Sequence, residues 1–395
     1  MLESDKMKKI AILGCSDPQI PLINTAKKMG LRTIVLSPNE INCSEYIDEF
    51  YQVDFHDYDK MIEILLPRKI DGVCSIVSEQ AVIPTAIICD RLGLLGIAKK
   101  SAHICTNKIL LKKCFSFLSI PSPDYIIADV NNPISVIDKK CKSIHYPVVI
   151  KPKNLCSSKG VLFLKDTNDL IDKFDYFRKF VKSDFLIEKY IDGESFGLEV
   201  LVNDGKIIFI LPVGNISLSC EKIDIPIGHY TPFGRINKLN ISMITNAIMK
   251  FIDICEIRNS FLTIDCKITD DYIYFLEVGL RCGGVLLPQL ISHYYGFNVY
   301  ECIIKQCLGN NDVQIMTNNN VDIATTFLIS QKYRNIYSDF INRDSIMEMC
   351  IYRDKSRTID TYFGKYYQLG HIVLKSTGNL PAKDQLDKIV TQLLH

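Results

Sequence analysis

Apolar positions recur along this chain in two periods, and their order divides it. Lys9–Gly14, Arg32–Leu36 and Gly72–Val77 are short, nearly continuous apolar runs, the pattern of strands buried on both faces. Between and after them, Pro21–Met29, Tyr58–Leu66 and Val82–Leu92 repeat at helical spacing. Alternation at this pitch predicts a small parallel sheet covered on both faces. Its first turn, GCSDPQ, holds one glycine and lacks G-x-G-x-x-G. A Rossmann-like layer is therefore expected without a dinucleotide fingerprint.

From about Lys99 the pattern changes. Asn107–Leu118 is a helical run, with Lys108, Lys112 and Lys113 placed on its polar side and a stop at Ser119–Pro123. Tyr146–Pro152 is a β-branched strand carrying Lys151, a cation that either snorkels or meets an anion. The polar loop Asn154–Val161 contains Ser157, Ser158, Lys159 and Gly160 and leads into a strand at Val161–Leu164. It is no Walker A loop. Its residues fit equally a plain hairpin or a cover whose N–H groups and Lys159 meet phosphates. Phe174–Phe180 is expected to be helical, and Phe185–Tyr190 a strand that carries Glu188. Phe196–Val202 and Lys206–Leu211 pair across Asn203-Asp204-Gly205, whose Asp-Gly step suits a type I′ turn. Asn215–Arg235 is rich in glycine and proline and is expected to be irregular, a length that active-site covers explain. Lys238–Ile254 is a long amphipathic helix.

The stretch NSFLTIDCKITDDYIYFLEVGLRCGG, Asn259–Gly284, concentrates the chemistry. Strand Phe261–Ile268 places Thr263, Asp265 and Lys267 on one face. A three-residue loop, Thr269-Asp270-Asp271, returns the chain into Tyr272–Val278, with Asp265 expected opposite Glu277. Two facing carboxylates need a cation. Helices follow at Pro288–Tyr295 and Val299–Cys307, then strands at Asp322–Ile329 and Tyr366–Lys375 and a final helix at Pro381–Leu394.

Composition narrows the classes. The 395 residues predict several domains, and a formal charge of +1 gives no electrostatic bias toward nucleic acid. No window is long and apolar enough to span a membrane. The charged start MLESDKMKKI runs straight into a strand, so a cytoplasmic protein is expected. Fifteen scattered cysteines with no C-x-x-C pair read as small buried hydrophobes, not as zinc ligands or disulfides. Carboxylates facing each other below strand-end lysines suit a hard cation such as Mg²⁺ shared with phosphates.

The order of these pieces resembles the ATP-grasp superfamily, in particular its carboxylate–amine and amino-acid ligases. The resemblance rests on Lys108 in NKILLKKCFSFLSIPSPD, Lys151 in YPVVIKP, the SSKG loop, Glu188 in LIEKYIDGE, Asp265 in TIDCK, and Glu277 with Arg281 in FLEVGLRCGG. It implies a mixed α/β and α+β fold. Residues 1–99 would form a Rossmann-like domain, 100–310 a two-part ATP-grasp domain with lobes at 100–187 and 188–310, and 311–395 a small C-terminal α+β module. It also implies ATP and two Mg²⁺ ions, for which Mn²⁺ can substitute. Lys108 and Lys151 would contact phosphates, and Ser157, Ser158, Lys159 and Gly160 would close over them. Glu188 with Lys189, Tyr190 and Ile191 would hold the adenosine. Asp265 and Glu277 would bind metal, and Arg281 the substrate carboxylate or acyl phosphate. His229 either recognises substrate or deprotonates the amine, or is a loop histidine without a role. Glu194 and Glu199 either contact substrate or face solvent, and Ser78-Glu79-Gln80 could line the substrate cleft. The implied partners are small carboxylate and amine molecules in a homodimeric enzyme. The alternative is a carboxylase-type or purine-biosynthetic member that activates bicarbonate or formate. Gly279 departs from the commoner E-x-N-x-R pattern, in which asparagine also ligates metal.

Overall fold

A computed structural model of the chain describes residues 7–40, 45–156, 158–220, 223–270, 272–310, 312–315, 321–330, 343–352, 358–361, 364–378 and 380–394. The chain opens with β1 (Lys9–Leu13), α1 (Ile20–Lys28), β2 (Arg32–Ser37), β3 (Glu49–Gln52), α2 (Tyr58–Leu65), β4 (Gly72–Cys74) and α3 (Val82–Leu92). The strands form the expected parallel sheet, in the order β3-β2-β1-β4. Strand β3 escaped the sequence pattern because its residues, EFYQ, are only half-buried at the sheet edge.

The next segment contains α4 (Lys99–Cys105), α5 (Lys108–Leu118), β5 (Tyr125–Asp129), α6 (Ile134–Ser143), β6 (Val148–Pro152), β7 (Leu162–Leu164), α7 (Thr167–Phe177) and β8 (Asp184–Lys189). Helix α5 starts at Lys108 because the Asn107 side chain accepts from the N–H groups of Ile109 and Leu110, at 3.0 and 3.2 Å. Helix α7 lies earlier than expected, capped by Asp166. The strands make an antiparallel sheet, β5-β8-β6-β7, and bury Ile150, Phe174, Phe177 and Phe185 beneath α6 and α7.

The rest is dominated by one sheet. It uses β9 (Glu194–Asn203), β10 (Lys206–Cys220), β11 (Ile223–Thr231), β12 (Ser260–Ile268), β13 (Ile273–Gly279), β14 (Ile323–Ser330), β15 (Ile346–Ile351), β16 (Thr358–Thr361) and β17 (Gly364–Lys375). Its order is β13-β12-β9-β10-β11-β14-β17-β15, with β16 beside β17. Helices α8 (Lys238–Cys255), α9 (Leu287–Tyr295), α10 (Val299–Cys307) and α11 (Ala382–Leu394) cover it. Asp204 and Gly205 take φ of 50° and 75°, as the expected Asp-Gly hairpin turn requires. The strands after residue 320 join through β14 on β11, so they extend this sheet. Ile10, Ile12 and Cys74 of the first sheet share a core with Leu201, Phe209, Tyr295 and Ile304, which ties that sheet to the large one. No helix among the described residues is long and apolar enough to cross a membrane.

Three expectations need correction. Asn215–Arg235 is mostly not irregular: it is largely the antiparallel pair β10 and β11, and its Gly228 serves close contact with β14. Lys108 and Lys112 are not on a solvated face of α5; they are 8% and 1% exposed, whereas Lys113 is exposed. Asp265 does pair with Glu277, but not by way of a three-residue loop. The ladder begins at Ile268 opposite Ile273 and then slips at a bulge between Asp265 and Cys266.

A Cβ on Gly228 would lie 2.1 Å from the Thr325 carbonyl oxygen and 2.8 Å from Thr326 Cα. Gly228→Ala should therefore force β11 from β14 and lower stability by about 3 kcal/mol in urea denaturation, the upper range for overpacking. Gly234→Ala, with open space around it, should change stability by under about 0.5 kcal/mol.

Candidate active site

The three sheets leave a cavity of about 490 Å³ between β6–β8 and the β9–β12–β13 face, open to the residues that follow β4. The β12–β13 hairpin forms its floor. Asp265 opens onto the cavity from β12, and the bulge turns both Leu276 and Glu277 of β13 toward it. Lys108, at the first turn of α5, reaches across to Glu277 at 2.8 Å and donates to the Leu155 carbonyl at 2.6 Å. Burial opposes the Lys108 ammonium, but Glu277 and Glu79 more than offset it and raise its pKa. Asp265 makes no ion pair or hydrogen bond among the described residues. Protein crowding around Asp265 and the nearby Glu277 carboxylate push its carboxyl up to about 6, a shift that solvent in the open cleft tempers.

Above the floor, Glu188 of β8 joins two lysines. Its Oε2 accepts from Lys151 Nζ at 2.7 Å, and Lys112 Nζ lies 3.2 Å from its Oε1 without hydrogen-bonding alignment. The register places Lys151 beside Leu186 on β8, next to the strand position of Glu188. Burial alone would raise this carboxyl; Lys112 and Lys151 together hold it down at about 2.

The adenosine-side expectations divide. Lys189, Tyr190 and Ile191 all line the cavity with Val149 and Leu276, and Lys267 Nζ sits 4.9 Å over the Tyr190 ring. The N–H groups of Lys189 and Tyr190 already donate to the carbonyls of Asp124 and Pro147. In the serine–glycine loop, Ser158 lines the cavity, whereas Lys159 is exposed and does not. Gly160 is buried against Pro152 and Phe180 with φ of 73°, so its contribution is to the loop's path. Ser157 lies outside the described residues.

Arg281 and Glu79 form the wall nearest the first domain. Arg281 Nε donates to Glu79 Oε2 at 3.1 Å, and Nη1 to the Cys282 carbonyl at 3.2 Å. Ser78 faces a smaller neighbouring cavity instead. His229 lines the main cavity, but from strand β11 rather than from a loop. Its Nδ1 is 3.0 Å from Asn215 Oδ1, and burial drags the imidazole down to about 3, so it is neutral and a poor proton acceptor at neutral pH. Glu199 neither faces solvent nor lines the cavity. It is fully buried under the Arg281–Gly284 turn, where it accepts from Thr263 Oγ1 and from the Gly283 N–H at 3.2 Å. Burial pushes its carboxyl up to about 8.

Sequence places Lys112 only on the polar side of its helix and leaves Glu199 between substrate contact and solvent, whereas both are buried. The first carried a signal, since Lys108 and Lys112 stand four apart and so share a helix face. Glu199 interrupts the apolar run FGLEVLV, which marks it as unusual without saying what it meets.

Comparison with known proteins agrees with this geometry. Residues 144–289 match the family model described as ATP-grasp domain. A D-alanine–D-alanine ligase from Acetivibrio thermocellus is 29% identical over 195 residues, which are 45% of this chain and 48% of that protein. The carbamoyl phosphate synthase large chain of Pyrococcus furiosus is 25% identical over 297 residues, 71% of this chain and 26% of the relative. The chain thus spans no more than about half the length of these two relatives. The crystal structure of an L-amino acid ligase from Bacillus licheniformis superposes with a TM-score of 0.78 at 16% identity, over 99% of this chain and 98% of that one. Residues 144–289 thus match an ATP-grasp domain, the fold of the whole chain is shared with that ligase structure, and a four-stranded parallel sheet precedes the matched residues.

Glu188→Gln keeps the shape but leaves Lys112 buried without its counter-charge. Chemical denaturation should show a loss of roughly 3–5 kcal/mol, partly recovered by adding Lys112→Met. The folded value near 2 is below the ordinary 4.5, so Glu188 contributes stability that is complete above about pH 4.5 and is lost as pH falls toward 2. Glu199 has the opposite sign. Its folded value near 8 is above 4.5, so the folded state binds the extra proton and stability declines as pH rises from 4.5 through 8. Glu199→Gln should flatten that decline, read as a smaller drop in melting temperature between pH 6 and pH 9.

Proposed function

We propose that this protein is an ATP-dependent, ADP-forming carboxylate–amine ligase with an amino acid as one substrate. The observation that carries the reading is Asp265 facing Glu277 at the floor of a cavity ringed by Lys108, Lys151 and Arg281. Among the described residues no three His, Cys, Asp or Glu side chains are grouped to hold a metal by themselves. Two carboxylates and no more suit Mg²⁺, which completes its coordination with phosphate oxygens and water. The bound metal supplies charge neutralisation at the γ-phosphate. The ion pairs are arranged for exchange: Lys108 can pass from Glu277 to a phosphate as Glu277 passes from Lys108 to metal. Charge balance is kept without stranding either group.

In this reading Lys108 and Lys151 hold the triphosphate, and Ser158 with its loop closes beside it, as Ser157, Lys159 and Gly160 would continue. The apolar wall of Val149, Ile191 and Leu276 receives the base. Glu188 positions Lys151 rather than reaching for ribose, because both its oxygens are already engaged by lysines. Arg281 orients the substrate carboxylate and stabilises charge that grows as its oxygen attacks the γ-phosphorus and ADP departs. An amine then attacks the acyl carbon, phosphate leaves, and the amine proton is lost to solvent or phosphate. The cysteines have no place in either step. Gly279 leaves the asparagine position of the metal set without a side chain, so Asp265 and Glu277 would be the residues that hold the metal. The same reading carries finer expectations: domains near 1–99, 100–310 and 311–395, a cytoplasmic site of action and a homodimer.

Incubation with ATP, Mg²⁺ and a panel of amino acids and small acids, including bicarbonate and formate, should release ADP with amino acids. Release with bicarbonate or formate alone would shift the reading to carbon-dioxide or one-carbon activation. Glu277→Gln should cut turnover by at least ~100-fold with an unchanged circular dichroism spectrum; undiminished ADP release would sink the metal assignment.

A further inference from the structure

Two thiols meet where α5 and α8 pack. Cys114, in the second half of α5, and Cys255, the last residue of α8, are 141 positions apart in the chain, yet their Sγ atoms lie 3.9 Å from each other. A closing movement of roughly 2 Å would bring the sulfurs to the ~2.05 Å of a disulfide. The two are unequal in access. Cys255 is fully buried, in a core that includes Phe115 and Phe251. Cys114 is only partly buried. It shares a helix face with Leu110 and Phe117, which are 39% and 76% exposed, so this side of α5 is open to solvent.

The two thiols are unequal in chemistry as well. Cys255, as donor in their contact, holds the Cys114 thiol below its ordinary pKa, and the Lys100 ammonium adds to this against the effect of burial. Lys100 is kept there by Glu256, the residue after Cys255, at 2.7 Å. The same contact, with burial, pushes the Cys255 thiol up. A partly exposed, more acidic thiol backed by a buried one is the arrangement of an attacking and a resolving cysteine. Among the described residues Cys350 and Cys156 are also accessible, but neither has a second sulfur in contact. Cys74 and Cys307 interact with each other, and both are buried out of reach.

We propose that Cys114 and Cys255 form a reversible oxidation site, at which a hydroperoxide converts the thiol pair into a disulfide that joins α5 to the end of α8. The Cys114 thiolate attacks the terminal peroxide oxygen and the O–O bond breaks. The other oxygen leaves with the electron pair and takes a proton, to become water or an alcohol, and Cys114 is left as a sulfenic acid. Cys255 Sγ then attacks that sulfur, its proton goes to the departing hydroxide, and water is released. In all, two thiols lose two electrons and one peroxide gains them. A small dithiol reverses the change by thiol–disulfide exchange. The bond would tie together two carriers of the candidate site, because α5 begins at Lys108 and α8 leads into β12, which holds Asp265.

The reduced full-length chain is treated with a small molar excess of hydrogen peroxide, blocked with iodoacetamide, digested without reduction and mapped by mass spectrometry. A peptide pair joined through Cys114 and Cys255 should be the first oxidation product, formed at least about tenfold faster than oxidation at Cys350 or Cys156. Dithiothreitol should remove it and return both thiols. In Cys255→Ala the bond cannot close, and dimedone should label Cys114 as its sulfenic acid, whereas Cys114→Ser should give neither the label nor the linkage. The unmodified chain decides the matter alone, whether or not Cys255→Ala folds. Oxidation that reaches Cys350 or Cys156 first would overturn the proposal. A Cys114–Cys255 linkage that forms only after unfolding in urea would overturn it as well, because the folded contact would then have no part in the reaction.

Discussion

Asp265 and Glu277 face each other across a two-strand ladder, and two carboxylates in that relation cannot rest without a cation. Much of the architecture around the cavity answers that constraint. Lys108 is delivered by a helix that begins at its own position, fixed by the Asn107 cap, and reaches Glu277 from the far side of the cleft. The helix is pinned in turn: the Lys108 N–H donates to the Lys153 carbonyl, and the Phe275 N–H takes the Pro121 carbonyl just after the helix. The small sheet, the helix and the hairpin are therefore set against one another by the same few residues that carry the charges.

The remaining cations obey the same rule. Lys112 and Lys151 share Glu188, and Arg281 has Glu79. Replacing such pairs by apolar residues is often neutral or stabilising, so stability alone is a weak reason for keeping them. On the proposed ligase reading the cleft has a different need, to admit a polyanion with its metal and then release both. Each cation has to be held in place when the ligand is absent without being neutralised for good. Partly exposed pairs such as Lys108–Glu277 can open for a ligand, whereas Glu188 at full burial cannot let go of both lysines. The exchangeable pair lies where phosphates and metal would meet, and the permanent one behind it.

The sequence was most legible where local chemistry and tertiary context agree. The apolar β–α alternation of the first hundred residues, the Asp-Gly turn and the TIDCK and FLEVG strands all folded as their patterns require. It failed where one signal served two purposes. Glycine and proline between Asn215 and Arg235 looked like loop punctuation, yet Gly228 is there because β14 passes too close for a side chain. Lys108 and Lys112 looked like a solvated stripe because a lysine is usually exposed; their partners, Glu277 and Glu188, are 169 and 76 positions away and carry no local trace. The opposition of Asp265 and Glu277 came out correctly from an incorrect loop length, because a connection one residue longer and a one-residue bulge together supplied the two missing residues. A bulge of this kind has no sequence signature in a single chain, and it also re-aims Leu276 into the cavity.

Gly279 and Glu79 show how far such non-local effects extend. From the sequence, Gly279 is a missing metal ligand, an absence that water can repair. In three dimensions it is also a space, bounded by Thr263, Arg281 and a carboxylate from another domain. An asparagine there would bring its first carbon within 2.9 Å of Thr263 Cγ2, so Thr263 would have to shift to admit it. Thr263 is held by Glu199, which also fixes Gly283 and so the turn that aims Arg281. The buried carboxyl under the turn, the bare backbone above it and the first-domain glutamate together decide what Arg281 can meet. A change at any one of them should therefore alter substrate choice before it alters the capacity to bind nucleotide.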